Sequence, residues 1–478
     1  MRIIFSVEDL FIIEPLGIMQ MIAVAKRRGH QCYFASYRSQ NFLPLVKKIN
    51  PDLVAISIMS ISNSSCKIII DKIKKIDPRI FVLVGGSHPT FYPEFINKSG
   101  ADAICIGEGD GAFADLLKAF EDRKSLNHIP NIFTRTSKNP CRPLEEDLDR
   151  LPFPDRDLVY QNSLLGKMKL KSFMATRGCP YACSYCFNSA YRKLYLHKGK
   201  ILRRRSVNHL IEEIEWVQAN YPLEMIRFGD DNFVEGVTDW FEDFVEKYSR
   251  RVKLPFYCLL RPNVVTPRLA KLIKKAGCIS VATSIETGNE QIRQQILNRQ
   301  VTDKQIIKAC RTLVNNGIKT YTNIMVGLPE TDISDEAKSI ELAAKSKTTY
   351  AAFTIFTPFP GTELHQYCLE KGYLPKTDHP VFPRSTTDRS MLNCFSKKEK
   401  DIQRNILLLG PLASGNKMLR IIVMKWLIYL PPNQFFFYLS FLVRNYYNYC
   451  HIWPFRLNMR EFFEMVKLVR QYERKYVE

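Results

Sequence analysis

The sequence has no acidic residue over a long stretch near its C-terminus. Between residues 402 and 460 there is no Asp or Glu, although Lys or Arg occurs seven times. The whole chain of 478 residues carries a formal net charge of +21. Such an excess of cations favours a partner of negative charge, which is nucleic acid, an anionic membrane surface or an acidic ligand. Because residues 402–460 have no carboxylate side chain, the excess of positive charge is not balanced in this segment.

Long apolar runs and paired cysteines are also missing. Lys425 interrupts the run 421–430, and the run 435–443 falls short of the roughly 20 apolar residues that a membrane-spanning helix needs. The N-terminal apolar run is too short for a signal peptide, and carboxylates interrupt it. Ten of the thirteen cysteines are scattered singly, which excludes a disulfide framework and indicates a reducing compartment. We therefore expect a cytoplasmic protein.

The other three cysteines lie within eight residues, in the segment Cys179-Pro-Tyr-Ala-Cys183-Ser-Tyr-Cys186. Thiolates at this C-x3-C-x2-C spacing can bind three irons of one 4Fe–4S cluster, which leaves the fourth iron without a protein ligand. An open iron can chelate another molecule. A zinc knuckle is the alternative, but zinc needs a fourth Cys or His nearby, and the nearest later candidate is His197. We interpret the triplet as a cluster site.

At these residues the sequence resembles the radical S-adenosylmethionine (SAM) enzymes. In that family SAM chelates the open iron, and its reductive cleavage gives a 5′-deoxyadenosyl radical that abstracts a hydrogen atom. The resemblance implies a 4Fe–4S cluster and SAM as cofactors, together with a reducing electron donor of the flavodoxin or ferredoxin type.

Residues 1–125 alternate short apolar strands with helical patterns, which predicts a doubly wound parallel sheet of Rossmann-like type. The segments Pro15-Leu-Gly17, Gly85-Gly-Ser-His-Pro89 and Gly107-Glu-Gly-Asp110 resemble the cobalamin-binding domain that precedes many radical SAM cores. The resemblance implies cobalamin contacts at a set of residues in the loops of this domain. These are Leu16, Gly17, Ser60, Gly86, His88, Glu108 and Gly109. The D-x-H-x-x-G motif of classical cobalamin enzymes is absent, so His88 is as well explained by hydrogen bonds within its loop.

Residues 126–165 are rich in Pro and acid and are predicted to form an extended linker. Residues 166–375 alternate again in six strand–helix units, which predicts a partial TIM-type (βα)6 barrel with its site at the carboxyl ends of the strands. A charge run, Arg203–Arg205, is interpreted as a solvated face.

Three strand ends of this barrel carry functional residue types. Asp230 and Asp231 end the second strand and suit the ammonium group of SAM through charge-assisted hydrogen bonds. The resemblance places Ser284 and Glu286 near the ribose and carboxylate of SAM, and Gly327 near its adenine. Helix capping alone is the alternative at each position. No catalytic side chain is singled out.

Residues 376–478 are predicted to form a mainly helical C-terminal domain with helices near 397–409, 418–430 and 435–449. Gly410-Pro411 is expected to end the first helix. The aromatic and basic composition suits a helix in a membrane interface. We favour the other interpretation, in which the aromatics pack against the barrel mouth and line the substrate pocket, although both hold for a lipid-like substrate.

Together these features predict an enzyme, a cobalamin-dependent radical SAM methyltransferase that acts on an unactivated carbon of a small-molecule or lipid-like substrate. By family analogy cobalt receives a methyl group from one SAM, and a second SAM yields the radical. An oxidative cyclase or rearrangement enzyme with the same cofactors is the alternative, and a tRNA methylthiotransferase is a weaker one. No nucleic-acid partner is expected, because the cysteines of the N-terminal domain are not clustered and the C-terminus is predicted to be helical. A cobalamin or redox sensor would require an idle SAM site.

Overall fold

The computed structural model describes residues 1–10, 13–375 and 389–454. The chain forms two compact units. The first comprises 1–168, 190–205 and 220–222, and the second comprises 169–189, 206–219 and the remainder from Leu223. The predicted fold class, with a Rossmann-like domain, a partial barrel and a helical C-terminal extension, is confirmed.

The first unit is built on one six-stranded sheet with the strand order β2-β1-β3-β4-β5-β6. The strands are β1 (Arg2–Val7), β2 (Gln31–Phe34), β3 (Leu53–Ser57), β4 (Phe81–Gly85), β5 (Ala103–Cys105) and β6 (Ile132–Thr134). All neighbours pair in parallel except β5 with β6, which are antiparallel. In this order the chain reverses its direction of winding between β1 and β3, where doubly wound sheets bind ligands at the carboxyl ends.

Helices cover both faces of this sheet. They are α1 (Leu16–Arg27), α2 (Phe42–Ile49), α3 (Asn63–Ile76), α4 (Ser87–Phe91), α5 (Phe95–Ser99), α6 (Asp110–Glu121) and α7 (Asp157–Gln161). Successive residues of a strand point to opposite faces, so Ile3 and Phe5 enter one core and Ile4 enters the other. Because both faces are covered, the strands are nearly continuous apolar runs.

The segment 126–165 differs from the extended linker that its composition predicts. It contributes β6, α7 and two 3-10 turns to the first unit. The Tyr160 hydroxyl donates to Glu14 Oε1 at 2.6 Å, and Arg156 Nη1 lies 3.3 Å from the same oxygen. Long-range contacts of this kind, invisible in the local composition, hold the segment on the domain.

The second unit contains a six-stranded, all-parallel sheet in the order β14-β13-β12-β11-β10-β7. Its strands are β7 (Leu170–Phe173), β10 (Met225–Phe228), β11 (Phe256–Leu259), β12 (Cys278–Glu286), β13 (Lys319–Val326) and β14 (Tyr350–Ile355). Two-residue strands, β8 (Thr176–Arg177) and β9 (Arg203–Arg204), lie between β7 and β10 in the chain. Since β7 and β14 are edge strands, the barrel is open.

Helices follow most of these strands. They are α8 (Phe187–Leu194), α9 (Val207–Asn220), α10 (Asp239–Arg251), α11 (Pro267–Ala276), α12 (Glu290–Gln295), α13 (Asp303–Asn315), α14 (Ile333–Lys345), α15 (Glu363–Glu370), α16 (Lys397–Gly415), α17 (Lys417–Lys425) and α18 (Gln434–Tyr447).

Helix α16 does not end at Gly410-Pro411, as the sequence predicts, but continues through both residues to Gly415. A proline in a helix interior removes one backbone hydrogen bond, and burial of α16 compensates for this loss. Ile406, Leu409 and Ala413 are buried in one core with residues of β13 and β14. Gly410 permits the close approach, because a Cβ there would lie 2.7 Å from the Phe353 ring.

The C-terminal aromatics that pack on the barrel do so at the amino ends of its strands. Ser280 Oγ donates to the Ile452 carbonyl at 2.5 Å, and the rings of Tyr257 and Trp453 lie 5.7 Å apart. Ser280 and Tyr257 lie near the amino ends of β12 and β11. These contacts are therefore remote from the carboxyl ends, where the expected mouth lies. None of the helices within the described ranges has the length and apolar character needed to cross a bilayer.

Candidate active site

The cysteine loop follows β8 at the carboxyl end of the second sheet. Gly178 has φ +86°, a conformation that glycine adopts without strain, and it turns the chain into Cys179. Ser184 donates from its backbone N–H to the Leu297 carbonyl at 3.1 Å and from its hydroxyl to the Ile296 carbonyl at 2.6 Å. The segment after α12 thus fixes the loop that carries the thiols.

The three thiols differ in exposure but influence one another electrostatically. Cys183 is buried, whereas Cys179 and Cys186 are half-buried. Burial, together with the smaller effect of the charges of Asp231, Cys183 and Cys179, raises the pKa of Cys186 to about 12. Buried thiols ionise when a metal supplies positive charge, so this donor set fits an iron–sulfur cluster. In the described part of the chain, no three His, Cys, Asp or Glu side chains are grouped so as to hold a single ion.

Two buried arginines flank Cys183. Arg261 Nη1 lies 3.5 Å from Cys183 Sγ, and the guanidinium stacks on Tyr181 at 3.8 Å from the ring centroid. Arg299 interacts electrostatically with Cys183, and its Nη1 lies 3.7 Å from Glu286 Oε1. Donors to a ligating sulfur and nearby positive charge stabilise the reduced, more negative state of a cluster.

The adjacent carboxylates Asp230 and Asp231 occupy different environments. Asp230 is fully buried, and its Oδ1 accepts the backbone N–H groups of Ala175 at 3.0 Å and Thr176 at 2.6 Å. It therefore positions the backbone that leads into the cysteine loop. Asp231 is exposed and raises the pKa of both Cys179 and Cys186, so it lies beside the thiols. Desolvation by the surrounding protein raises the pKa of the Asp231 carboxyl group, and a hydrogen bond from Asn188 partly offsets this effect.

Glu286 ends β12 in an unusual backbone conformation. Its φ is +65°, and the pairing register with β13 shifts between Ser284 and Glu286. Bulges and left-handed non-glycine residues are characteristic of functional sites. The Tyr185 hydroxyl donates to Glu286 Oε1 at 2.6 Å, and Arg299 Nη2 donates to the Ser284 carbonyl at 3.2 Å. This carboxylate is thereby tied to the cysteine loop.

Gly327 ends β13 in a left-handed conformation with φ +73°. Its N–H donates to Glu336 Oε1 at 2.8 Å, and a Cβ at this position would lie 2.9 Å from Gln403 Oε1. Glu336 is buried, and desolvation raises its pKa to about 8. The turn at Gly327, which is expected near adenine, is thus packed against α14 and α16.

In the first unit, the loops after β1, β3 and β4 form the candidate cobalamin edge. Gly86 is exposed with φ +98°, and a Cβ there would lie 2.5 Å from the Ile58 carbonyl oxygen. Gly17 is exposed and Leu16 is half-buried. Met59 and Ile13 expose 59% and 54% of their surface at the same edge. Gly86 therefore allows the loops after β3 and β4 to pack closely, and the exposed apolar side chains at this edge fit the flat face of a corrin ring.

His88 and Ser60 face the protein interior rather than the edge. His88 is 1% exposed, its Nδ1 lies 3.3 Å from Ser60 Oγ, and its ring packs edge-to-face on Phe95. Burial lowers the pKa of His88 to about 4, which keeps the imidazole neutral. This arrangement supports the loop-holding interpretation of His88.

Glu108 and Gly109 follow β5. Arg203 is buried and makes two bonds to the Glu108 carboxylate, at 2.6 and 2.9 Å. The interpretation of Arg203–Arg205 as a solvated face is therefore wrong at Arg203, because the ion pair removes its guanidinium from water. The Tyr195 hydroxyl accepts the Glu108 N–H at 2.8 Å, and half-buried Gly109 precedes α6.

Further side chains line the candidate sites, and the sequence analysis did not single them out. In the second unit, the side chains near the cysteines are those of Tyr185, Asn188, Arg261 and Arg299. In the first unit, taken by itself, Glu8 after β1 accepts the Ser65 hydroxyl at 2.7 Å. A general signal was present only for Tyr185, which lies inside the triplet.

Comparison with known families agrees with this geometry. The model of the Radical SAM superfamily matches residues 174–343, and that of the B12 binding domain matches residues 5–117. The chain belongs to the radical SAM enzymes that carry a cobalamin-binding domain. The predicted family is therefore confirmed, as are its cofactors, namely a 4Fe–4S cluster, SAM and cobalamin.

Among curated proteins, this radical SAM enzyme is similar to an uncharacterised methyltransferase of Pyrococcus horikoshii. The two are 28% identical over 337 residues, which cover 69% of this chain and 72% of the relative. An anaerobic magnesium-protoporphyrin IX monomethyl ester cyclase of Rubrivivax gelatinosus is 25% identical over 342 residues, which cover 67% of this chain and 59% of the cyclase.

Among solved structures, the radical SAM methyltransferase TsrM of Kitasatospora setae with cobalamin and a [4Fe-4S] cluster bound gives a TM-score of 0.63. It shares 14% sequence identity, and the match covers 80% of this chain and 82% of TsrM. This likeness concerns the fold. The chain is an enzyme, as predicted, whereas the individual SAM-binding and cobalamin-binding residues stay predictions.

Proposed function

We propose that the protein is a cobalamin-dependent radical SAM methyltransferase that methylates an unactivated carbon of a small-molecule or lipid-like substrate. The observation that carries this proposal is the combination in one chain of a buried cysteine triplet and a cobalamin-binding domain. It is supported by similarity over 69% of the chain to a protein named as a methyltransferase. When bound, the cluster, SAM and cobalamin supply hydrogen abstraction and methyl donation.

The residues of the chain hold and orient these groups. Cys179, Cys183 and Cys186 bind the cluster. Asp231 receives the ammonium group of SAM through a charge-assisted hydrogen bond, and Asp230 positions the backbone at Ala175 and Thr176.

The remaining cofactor contacts follow from the strand ends. Ser284 and Glu286 bind the ribose and carboxylate of SAM, and Gly327 contacts adenine. In the first unit, Leu16, Gly17, Gly86 and Gly109 face cobalamin. Ser60, His88 and Glu108 support the same loops through the contacts described above.

Metal analysis and product analysis test the proposal. The full-length protein is reconstituted anaerobically with iron, sulfide and hydroxocobalamin, desalted, and assayed for iron and cobalt. We expect about four irons and one cobalamin per chain. After reduction with titanium citrate, SAM should yield both 5′-deoxyadenosine and S-adenosylhomocysteine. Retention of iron without cobalamin would contradict the methyltransferase function.

The variant Cys183→Ala separates the two cofactors. It should lose cluster iron and 5′-deoxyadenosine formation, because one of three iron ligands is missing. Cobalamin retention should be unchanged, since that site lies in the other unit. Loss of both cofactors would instead indicate general misfolding.

An oxidative cyclase is the second candidate, and the similarity to the Rubrivivax gelatinosus cyclase favours it. A cyclase would form 5′-deoxyadenosine without S-adenosylhomocysteine. The tRNA methylthiotransferase alternative gains no support, since residues 397–447 are largely helical.

Partners and location complete the proposal. The electron donor is a reduced protein of the flavodoxin or ferredoxin type, and no nucleic acid is bound. The protein is cytoplasmic, with peripheral contact to a membrane through its C-terminal segment.

A further inference from the structure

Large apolar side chains are exposed mainly in one part of the molecule. Of the seventeen such side chains in the described ranges, eleven lie between residues 418 and 446. Soluble proteins rarely expose contiguous apolar patches, and those that occur mark interaction sites. We name the exposed apolar residues of 418–446 the C-terminal apolar surface.

Helix α18 contributes one regular face to this surface. Phe435, Tyr438, Leu442 and Tyr446 are spaced by three or four residues, so they lie on one side of the helix. They expose 69%, 47%, 64% and 57% of their surface, respectively. Phe436 is buried in the core. A surface helix normally presents polar residues to water, whereas α18 presents these four apolar and aromatic side chains to water.

The preceding segment shows the same inversion. Met418 and Trp426 expose 73% and 69% of their surface, and Ile421 and Ile422 expose 48% and 43%. Val423, in the same helix α17, is buried at 2%. Helices α17 and α18 both pack on α16. Their apolar side chains are therefore exposed although both helices are held against the rest of the unit.

The charge of this segment indicates what covers the surface. No Asp or Glu occurs between residues 402 and 460, whereas Lys417, Arg420, Lys425 and Arg444 lie in α17 and α18. A second copy of this chain would bring the same cations together, which is unfavourable. An anionic lipid surface attracts cations, and its headgroup region accommodates Trp and Tyr rings.

We infer that α17 and α18 form a membrane-interface surface that binds bilayers of anionic phospholipid. Helices of this type lie in the plane of the interface with their apolar faces among the acyl chains, and cations beside them contact the headgroups. No membrane-spanning helix is required. This inference rests on the peripheral membrane contact proposed above and adds the helices and the lipid class, and it does not depend on the proposed reaction.

Vesicle co-sedimentation tests the inference with the full-length protein. The vesicles are pure phosphatidylcholine or an equal mixture of phosphatidylcholine and phosphatidylglycerol. We expect binding to the mixed vesicles that weakens with added salt, and at least about tenfold weaker binding to the neutral ones. Equal binding to both, or none to either, would overturn the inference.

Two sets of variants examine the two contributions separately. The triple variant Trp426→Ser, Phe435→Ser, Leu442→Ser should lose at least about tenfold in affinity. Its matched control, Ile68→Ser, removes a side chain of the first unit that is 58% exposed and should bind as the wild type does. For charge, Lys417→Glu with Lys425→Glu should lose at least about twentyfold. Lys72→Glu with Lys271→Glu, which changes two exposed lysines elsewhere, should have a much smaller effect.

Circular dichroism and cluster iron content confirm that each variant is folded. Sedimentation equilibrium without lipid then tests whether a second copy of this chain covers the C-terminal apolar surface. The inference would be overturned if the wild type forms a dimer, the triple variant is monomeric and neither protein binds vesicles. The surface would then be a contact between two copies of the chain.

Discussion

The Nη1 atom of Arg261 lies 3.5 Å from the Sγ atom of Cys183, although 78 residues separate them in the chain. Arg261 lies two residues after the end of β11, and its backbone N–H donates to Asn232 Oδ1 at 3.0 Å. The guanidinium also stacks on Tyr181. A rigid cation is thus fixed beside the most buried of the three thiols.

Replacing this cation should change the redox behaviour of the cluster. Arg261→Met should shift the midpoint potential to a more negative value by on the order of 50 mV, which is roughly a tenfold change in the ratio of reduced to oxidised cluster for a one-electron couple. The reason is the loss of a donor to the sulfur and of nearby positive charge. Redox titration monitored by electron paramagnetic resonance measures the shift. Arg261→Lys, which keeps the charge, should lie between the two, and an unchanged potential in Arg261→Met would contradict the assignment.

The carboxyl group of Glu336 should make stability depend on pH. Its pKa is raised to about 8 in the folded state, because burial disfavours the charged form. The folded protein therefore binds more protons than the unfolded one between the two pKa values. The stabilisation is complete below the unfolded value of about 4.5 and is lost as the pH rises through about 8.

Urea denaturation of Glu336→Gln at several pH values measures this effect. Gln keeps an oxygen that accepts the Gly327 N–H, but it does not ionise. Relative to Glu336→Gln, the wild type should lose a few kcal/mol of unfolding free energy between pH ~5 and pH ~8. Parallel curves for the two proteins would show that Glu336 does not titrate in this range.

Gly288 should tolerate no side chain. A Cβ there would lie 2.2 Å from the Ser339 backbone nitrogen and 2.3 Å from the Lys338 carbonyl carbon, both in α14. Since backbone must move to relieve this overlap, Gly288→Ala should destabilise the protein by about 3 kcal/mol or more. Thermal unfolding provides the measurement. The control is Gly415→Ala, where no atom lies within 4 Å of the added carbon and stability should be nearly unchanged.

Gly86 should be required for cobalamin retention. An added Cβ would lie 2.5 Å from the Ile58 carbonyl oxygen, and φ +98° disfavours any side chain. Gly86→Ala should therefore retain less than about a tenth of the wild-type cobalt after desalting, while iron content stays normal. The neighbouring Gly85→Ala is the matched control, because its Cβ would meet only Cys105 Cβ at 3.8 Å. Full cobalt in Gly86→Ala would remove this loop from the binding site.

Sequence patterns over short stretches predicted the features of the structure that neighbouring residues determine. The cysteine triplet depends on spacing over eight residues, and the strands and helices of residues 1–125 follow from their alternating apolar patterns. The strand ends that carry Asp230, Glu286 and Gly327 follow from alternation of strands and helices. The fold class and the cofactors were therefore accessible from the sequence.

Contacts between distant residues were not accessible. Arg203 and Glu108 are 95 residues apart, and nothing in the run Arg203–Arg205 distinguishes a buried cation from a solvated one. Asp230 and Asp231 are adjacent and chemically identical, and only the fold turns one towards backbone N–H groups. Pro411 is a strong local signal for a helix end, but packing of α16 against β13 and β14 overrides it.

Helix α16 has a practical consequence for dissecting the protein. Its residues Ile402, Ile406 and Leu409 share one core with Ile324 and Phe353 of the barrel strands. A fragment truncated at residue 375, the predicted end of the barrel, would expose that part of the sheet to water. We expect such a fragment to be insoluble, whereas one that extends through residue 454 keeps the sheet covered.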